Sequence, residues 1–278
     1  MQTPDHSTDQ LYLGQLSLFS LSHAQRCEVA AAAGFTGVSL FWMDVEKQRA
    51  AGGRDVDLRA QADAHGLRIV QLEFAPLAHS SALDDFKKLA EDMANCAVTL
   101  GCDSVHAVAL DPTLDFDDCV ACMKILAAAC AKHDLDCGLE FVPFLTACTD
   151  LPSALRVISA VDKANTGIVL DALHFFRGGA QWETLAQLRP RDVITLQIND
   201  GTRGRVIDDY SVEAMAARLL PGRGELDLPR FLKTLRGGGI ELPFTVEAPH
   251  QNLNALEPAL AARMLADTAR ELRARCSH

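Results

Sequence analysis

The run GIVLDALHFF, Gly167–Phe176, shows how apolar strands of this chain end in polar side chains. Its first four residues are small or apolar, a pattern that predicts a buried strand. An acid follows at Asp171 and an imidazole at His174. Alone, this pattern fits a functional site, or a local role in which Asp171 caps the next turn and His174 is a satisfied histidine.

Three other apolar runs end in the same way. They are CGLEFVPF with Glu140, VITLQIND with Gln197 and Asp200, and PFTVEAPH with Glu247. Each run is short and bounded by Gly, Pro or Asp, as strands are. Burying one carboxylate costs several kcal/mol unless it is paired or binds a cation, so three buried carboxylates need a common explanation. A shared divalent metal ion is the simplest one.

Strand-like and helical runs alternate along the whole chain. The other predicted strands are Gln15–Ser20, Gly37–Trp42, Leu67–Phe74 and Ser104–Leu110. Predicted helices are Ser22–Gly34, Val56–Gly66, Leu83–Leu100, Phe116–His133, Leu151–Val161, Trp182–Leu188, Leu228–Leu235 and Leu256–Cys276. A loop with Gly52 and Gly53 follows the second strand, and a long loop, Gly201–Leu220, follows the seventh. Several helices end at Gly and lead directly into a strand, which is typical of αβ connections.

Eight βα units in 278 residues predict an α/β fold, a (β/α)8 TIM barrel that forms a single domain over residues 1–278. We expect residues 1–10 to be flexible. A doubly wound open sheet is the alternative, but the turn after the first predicted strand lacks the Gly-rich phosphate motif of that fold. In a barrel the carboxyl ends of the strands meet at one face, so Glu140, Asp171, Gln197 and Glu247 should converge there.

The predicted ligand set contains only oxygen donors. Three carboxylates and the carbonyl of Gln197 favour one Mn²⁺ ion, with Mg²⁺ or Co²⁺ as alternatives, over a closed zinc site of thiolates and imidazoles. The competing interpretation of each carboxylate is an ordinary polar strand end.

Composition and charge narrow the class of ligand. With 49% apolar and 23% charged residues the chain can bury a large core, and its net charge of −11 argues against nucleic acid or an anionic membrane as partner. A small molecule fits better. No leader pattern or long apolar run occurs, so we predict a cytoplasmic protein without a membrane partner. Most of the nine cysteines, including the Cys119 and Cys122 pair, fit buried helix or strand positions.

Five segments together resemble a known superfamily over nearly the whole chain. They are GLEF with Glu140, LDALH with Asp171 and His174, the strand ending IND with Asp200, PGRGELD (Pro221–Asp227), and TVEAP with Glu247. In order and spacing they resemble the sugar phosphate isomerase/epimerase superfamily, whose members have a xylose isomerase-like TIM barrel.

The resemblance implies that Glu140, Asp171, Gln197 and Glu247 hold the metal ion. It also implies that His174 and an arginine after strand seven, Arg203 or Arg205, contact the substrate together with Asp200. Many relatives carry His at the position of Gln197, and the chain is similar here to the inosose dehydratase-like branch, which tolerates Gln. This departure favours isomerases or dehydratases of keto-polyols over simple ketose epimerases.

The expected chemistry passes through an enediolate. A divalent ion chelated by a ketone and a neighbouring hydroxyl makes the C–H between them more acidic, with Glu140 and Glu247 as proton acceptor and donor in either order. The proton can return to the other face, return to the adjacent carbon, or be followed by loss of a hydroxyl. The ligands alone therefore do not separate an epimerase, an isomerase and a dehydratase (lyase) acting on a sugar or keto-polyol.

Further side chains near the strand ends are candidates for the pocket. Glu73 and His106 are candidate substrate-binding residues, and each can equally be a packed polar residue. Phe19, Trp42 and Phe74 are candidates for an apolar wall against a sugar ring, with simple packing as the alternative.

Two other function classes compete with the enzyme hypothesis. Apurinic-site endonucleases resemble the same barrel, but they use a histidine-rich trinuclear zinc cluster and bind DNA, which the charge of −11 disfavours. A non-catalytic or partner-dependent sugar-binding barrel is the main alternative, although the intact Glu140 and Glu247 favour activity. By analogy with relatives we expect a homo-oligomer, a dimer or tetramer.

Overall fold

The computed structural model describes residues 10–144, 147–205 and 207–277. They form one closed barrel in which eight parallel strands follow each other in chain order, so the predicted fold is confirmed. The strands are β1 (Leu11–Leu13), β2 (Gly37–Phe41), β3 (Arg68–Pro76), β4 (Ser104–Val108), β5 (Asp136–Glu140), β6 (Thr166–Asp171), β7 (Val193–Ile198) and β8 (Phe244–Val246). The expected flexibility of residues 1–10 concerns a segment that, apart from Gln10, lies outside the described residues.

Helices connect the strands, and the longer ones pack against the outside of the barrel. They are α1 (His23–Ala32), α2 (Trp42–Ala50), α3 (Asp55–Asp63), α4 (Leu83–Leu100), α5 (Phe116–Ala131), α6 (Leu151–Val161), α7 (Ala172–Arg177), α8 (Trp182–Ala186), α9 (Tyr210–Ala216), α10 (Leu228–Gly237), α11 (Gln251–Asn254) and α12 (Pro258–Cys276). All nine cysteines are reduced and buried, as the sequence pattern predicted for most of them.

The predicted first strand, Gln15–Ser20, is wrong. The strand that closes the barrel is β1, which pairs in parallel with β2 and β8, and Gln15–Leu18 forms a 3-10 helix. The polar side chain of Gln15 explains the difference. Its Oε1 accepts from the Phe41 backbone N–H at 2.8 Å, and its Nε2 donates to Asp44 at 2.8 Å. These hydrogen bonds connect the 3-10 helix Gln15–Leu18 to the end of β2 and the start of α2.

Two helices replace segments that were predicted as loops. Helix α2 begins at Trp42, directly after β2, where the prediction continued the strand by one residue and then placed a loop. Helix α9 lies within the predicted long loop Gly201–Leu220. Its N-terminus is capped by Asp209, whose side chain accepts from the Ser211 backbone N–H.

A β-bulge interrupts the pairing of β3 with β4. Leu72 pairs with Val105 and Ala75 with Ala107, so β3 contains one more residue than β4 between these two pairs. Phe74 lies in this bulge with φ +70°, a left-handed conformation that a residue with a side chain rarely adopts. The bulge therefore changes the direction of the strand at the rim of the barrel, next to Glu73.

Candidate functional site

The four predicted metal ligands lie at the carboxyl ends of adjacent strands. Glu140 is the last residue of β5, Asp171 the last of β6, Gln197 is one residue before the end of β7, and Glu247 follows β8 directly. Asp171 and Gln197 are paired in the strand register. Asp171, Gln197 and Glu247 are buried, and only the Glu140 side chain keeps some exposure, at 12%.

A compact group at this face offers oxygen and nitrogen atoms to a cation. One ligand atom from each of Glu140, Asp171 and His174 lies within 4.8 Å of the other two. The His174 Nε2 is 3.3 Å from Glu140 Oε1, and its Nδ1 is 2.5 Å from the hydroxyl of Tyr210 on α9. If Tyr210 donates to Nδ1, Nε2 carries the proton and donates to Glu140.

Asp171 has two structural roles. Its Oδ1 accepts from the His174 backbone N–H at 2.9 Å, which caps α7, and its Oδ2 accepts from Asn199 Nδ2 and Arg218 Nη1, both at 2.7 Å. Burial raises the pKa of this carboxyl, but Arg218, His174 and the hydrogen bonds outweigh burial and hold the pKa below its usual value. Asp171 therefore caps α7 and also belongs to the compact group with Glu140 and His174.

Arg218 lies against these acids and contacts both Asp171 and Glu247. The cluster, as named from here on, consists of Glu140, Asp171, His174, Gln197, Arg218 and Glu247. The Arg218 Nη1 donates to Asp171 Oδ2 at 2.7 Å and to Glu247 Oε2 at 3.1 Å, and the side chain is 2% exposed. Burial lowers the pKa of this guanidinium, but Asp171 and Glu247 outweigh burial and raise it above its usual value. The sequence prediction missed Arg218.

The two arginines that the sequence offered instead, Arg203 and Arg205, are exposed. The Arg203 backbone N–H donates to Glu225, and the Arg205 guanidinium lies over the Tyr210 ring at 5.4 Å. Their contact with substrate stays a prediction. The sequence did contain a signal for Arg218, which lies between apolar residues in ARLLP. Such a segment is expected to be buried, and a buried arginine needs acidic partners.

Glu247 is not part of the compact group of Glu140, Asp171 and His174 that the described residues form, and it contacts Gln197 beside that group. Gln197 Nε2 donates to Glu247 Oε1 at 3.4 Å, whereas Gln197 Oε1 is buried without a hydrogen-bond partner among the described residues. Burial raises the pKa of Glu247 well above its usual value, and repulsion from Glu73, Glu140 and Asp171 adds to this against the attraction of Arg218. A buried carbonyl oxygen without a donor, at the barrel face that also carries Glu140, Asp171 and Glu247, fits a divalent cation.

Asp200 is buried, and three backbone N–H groups bind its carboxylate. They belong to Gly201 at 2.8 Å, Gly224 at 2.9 Å and Leu226 at 3.2 Å. In the observed conformation Asp200 therefore joins the two ends of the segment between β7 and α10. Its predicted contact with substrate stays a prediction.

Glu73 and His106 belong to a hydrogen-bonded layer inside the barrel. Gln71 Nε2 donates to Glu73 Oε1, and Gln71 Oε1 accepts from Thr195 Oγ1 at 3.2 Å. His106 Nε2 lies 3.1 Å from Thr195 Oγ1 and 3.0 Å from Ser104 Oγ. Burial lowers the pKa of His106 to about 3. His106 thus lies in the layer beneath the cluster, and its predicted substrate contact is untested.

The aromatic side chains form a group on the other side of the opening. The Phe41 ring lies 4.5 Å from Phe74 and 6.1 Å from Phe19, centroid to centroid. Phe41 takes the place that the sequence analysis assigned to Trp42. Because α2 begins at Trp42, this side chain turns into the core, where the Arg49 guanidinium lies 5.0 Å from the ring.

Comparison with known proteins identifies the family. The sequence profile of the xylose isomerase-like TIM barrel family matches residues 27–272, most of the chain. The chain belongs to this family. This agrees with the closed barrel and with the superfamily resemblance of the strand ends. In addition, no helix in the described part of the chain is long and apolar enough to cross a membrane.

Individual relatives match less completely in sequence. The chain is 30% identical to the inosose isomerase of Bacillus subtilis over 114 residues, which cover 40% of this chain and only 38% of that protein. The crystal structure of the IolI protein with a bound zinc atom superimposes with a TM-score of 0.85 at 19% identity, covering 97% of this chain and 100% of IolI. The probable 3-DHS dehydratase AsbF from Bacillus anthracis gives a TM-score of 0.75 at 16% identity, covering 94% and 98% of the two chains. At these identities the two structures support the fold alone.

Proposed function

We propose that this chain is a divalent-metal-dependent enzyme that isomerises, epimerises or dehydrates a ketone-bearing sugar or polyol. The observation that carries the proposal is the buried, unpartnered Oε1 of Gln197, which lies beside Glu247 at the same barrel face as the Glu140, Asp171 and His174 group. Burying an amide oxygen without a donor costs about 1–3 kcal/mol, which coordination of a cation offsets.

Glu140, Asp171, Gln197 and Glu247 would hold the ion. When bound, a divalent ion polarises the substrate ketone and makes the neighbouring C–H more acidic. The oxygen donors favour Mn²⁺, whereas the nearby His174 imidazole and the zinc atom in the IolI structure make zinc the alternative to test.

The protein groups would move the proton. Glu247 follows β8 directly and is buried at the barrel face where the substrate would bind, so its carboxylate can accept a proton there. Glu140 lies against His174, which Tyr210 orients in turn, so Glu140 is placed to exchange a proton with the substrate at a fixed position. Together the two glutamates can form an enediolate and reprotonate it, and either can act first.

Charge favours an uncharged substrate. The negative charges of Glu140, Asp171 and Glu247 are balanced by Arg218 and a divalent ion, which leaves no surplus positive charge in the cluster for a phosphate. A neutral keto-polyol fits this balance, and the partial similarity to inosose isomerases points to the same class. The homo-oligomeric state and the cytoplasmic location stay predictions.

Metal analysis of the purified protein tests the proposal. We expect about one equivalent of Mn, Zn, Co or Mg in the wild type after growth with these metals, and much less in Glu247→Gln, which removes one ligand charge. The exposed Glu241, beyond the opposite end of β8, provides the matched control Glu241→Gln, which should keep the metal. The wild type with its metal should then catalyse uptake of solvent deuterium into an inosose, detected by NMR.

Absence of metal binding at saturating Mn²⁺ and Zn²⁺ would contradict this proposal and leave a non-catalytic binding barrel. Metal binding without deuterium uptake into any inosose or keto-sugar would contradict the proposed reaction but not the metal site.

A further inference from the structure

Glu73 faces the metal-ligand strands across the barrel. In the closed barrel β3 lies diametrically opposite β7, and the 3.2 Å hydrogen bond from Thr195 on β7 to Gln71 on β3 crosses the interior. Side chains two residues further along each strand point the same way, one layer higher. Glu73 and Gln197 therefore face each other above this polar layer, on opposite sides of the opening.

The orientation of Glu73 is fixed by its neighbours. Gln71 donates to its carboxyl group from below, and Gln71 itself accepts from Thr195. Phe74, the next residue, adopts φ +70° in the bulge, which costs about 1–2 kcal/mol for a residue with a side chain. Strain of this kind concentrates at functional sites, and here it fixes the direction of the strand beside one buried carboxyl.

A purely structural role explains Glu73 poorly. Its side chain is 3% exposed, and among the described residues no ion pair to Arg or Lys includes it. A glutamine would make the same contacts without the cost of burying an acid. Burial, together with repulsion from Glu140 and against the hydrogen bond from Gln71, raises the pKa of Glu73 to about 7. An acid in this state carries a proton for part of the time at neutral pH, which suits a proton donor.

Resting on the function proposed above, we propose that Glu73 donates a proton to the departing hydroxyl of a keto-polyol, so that the reaction is a dehydration. A carboxylate on the β5–β8 side removes the proton from the carbon next to the ketone. The electron pair of the resulting enediolate forms a C=C bond as the C–O bond to the β-carbon breaks. The hydroxyl leaves as water with the Glu73 proton. The base then releases the proton it took to solvent, and solvent reprotonates Glu73. The steps sum to loss of one water from the substrate without oxidation or reduction.

The roles of the two sides can be separated by one substitution. Glu73→Gln keeps the size and the hydrogen bond to Gln71 but has no proton to donate. With Mn²⁺ and inosose in D2O, NMR reports deuterium uptake at the carbon next to the ketone, and absorbance of the conjugated product reports dehydration. We expect Glu73→Gln to lose dehydration by about 10²-fold or more while deuterium uptake continues. Glu241→Gln should retain both, and thermal unfolding checks that each variant is folded.

Each result decides between the proposals. Deuterium uptake without dehydration in the wild type would overturn the role of Glu73 but not the proposed enolisation. No uptake by the wild type with any inosose would overturn both. Equal dehydration by Glu73→Gln and the wild type, or an equal loss of both signals in a folded variant, would also overturn the proposal. Should Glu73→Gln not fold, Glu73→Asp, which keeps a shorter acid, must slow dehydration more than deuterium uptake.

Discussion

The two halves of the barrel opening are built from different chemistry. The ends of β5–β8 carry Glu140, Asp171 and Glu247, and Arg218 forms ion pairs with Asp171 and Glu247. The region after β1 and at the ends of β2 and β3 carries the Phe19, Phe41 and Phe74 rings, with Glu73 as its one buried acid.

Each half is stabilised in its own way, and the difference indicates how a substrate would lie. The charged half depends on ion pairs and hydrogen bonds between elements, whereas the aromatic half depends on ring contacts and a strained bulge. A cyclic polyol between them would direct its oxygens to the acids and its C–H face to the rings. Substitutions that affect only one half test this division.

The largest effect is expected in the charged half. Arg218→Gln should lower the free energy of unfolding by about 3–5 kcal/mol, because it leaves Asp171 and Glu247 as buried, uncompensated charges. Urea unfolding at pH 7 in EDTA measures this loss. Arg205→Gln, at an exposed position in the same segment, is the control and should change stability by less than about 0.5 kcal/mol.

Added Mn²⁺ should restore part of the loss in Arg218→Gln, because a ligand that binds only the folded state stabilises it. Equal, small effects of the two arginine substitutions would contradict the central place of Arg218 in the cluster.

The sequence predicted the charged half better than the aromatic half, for a physical reason. Glu140, Asp171, Gln197 and Glu247 each interrupt or end an apolar run, and the alternation of strands and helices places such positions at one face of a barrel. Arg218 was not predicted because it follows the short helix α9 in a segment with no clear periodicity. Its contact with Asp171 joins residues that are distant in the sequence and is formed only in the folded chain.

The aromatic half was predicted less well because the end of β2 lies one residue earlier than the sequence pattern indicated. The apolar run GVSLFW continues through Trp42, but the helix begins there, so Phe41 rather than Trp42 contacts the other rings. The left-handed conformation of Phe74 likewise has no signal in a run without Gly or Pro. At the start of the chain, the alternation in QLSLFS indicated a strand, but the hydrogen bonds of Gln15 produce a turn.

A smaller effect is expected from the layer beneath the two halves. The folded pKa of His106, about 3, lies below its unfolded value of about 6.5, so protonation favours the unfolded state. The stability from the neutral imidazole is complete above pH 6.5 and is lost as the pH falls toward 3. Between pH 7 and pH 5 the loss should be about 2 kcal/mol. His106→Gln, whose Nε2 can replace the imidazole Nε2, should reduce the pH dependence of urea unfolding by this amount, and an unchanged dependence would contradict a neutral buried His106.

The smallest effect is expected from Gly and Ala variants in the aromatic half, which distinguish backbone strain from the loss of ring contacts. At Phe74, with φ +70°, the Gly variant should be more stable than the Ala variant by about 1 kcal/mol, because only Gly adopts this conformation without cost. At Phe41, with φ −82°, the order should reverse, and Phe41→Gly should be less stable than Phe41→Ala by about 0.5–1 kcal/mol. Thermal unfolding of the four variants measures both differences. A Phe74→Ala variant at least as stable as Phe74→Gly would show that Phe74 is not strained, and the bulge would then lose its role in directing Glu73.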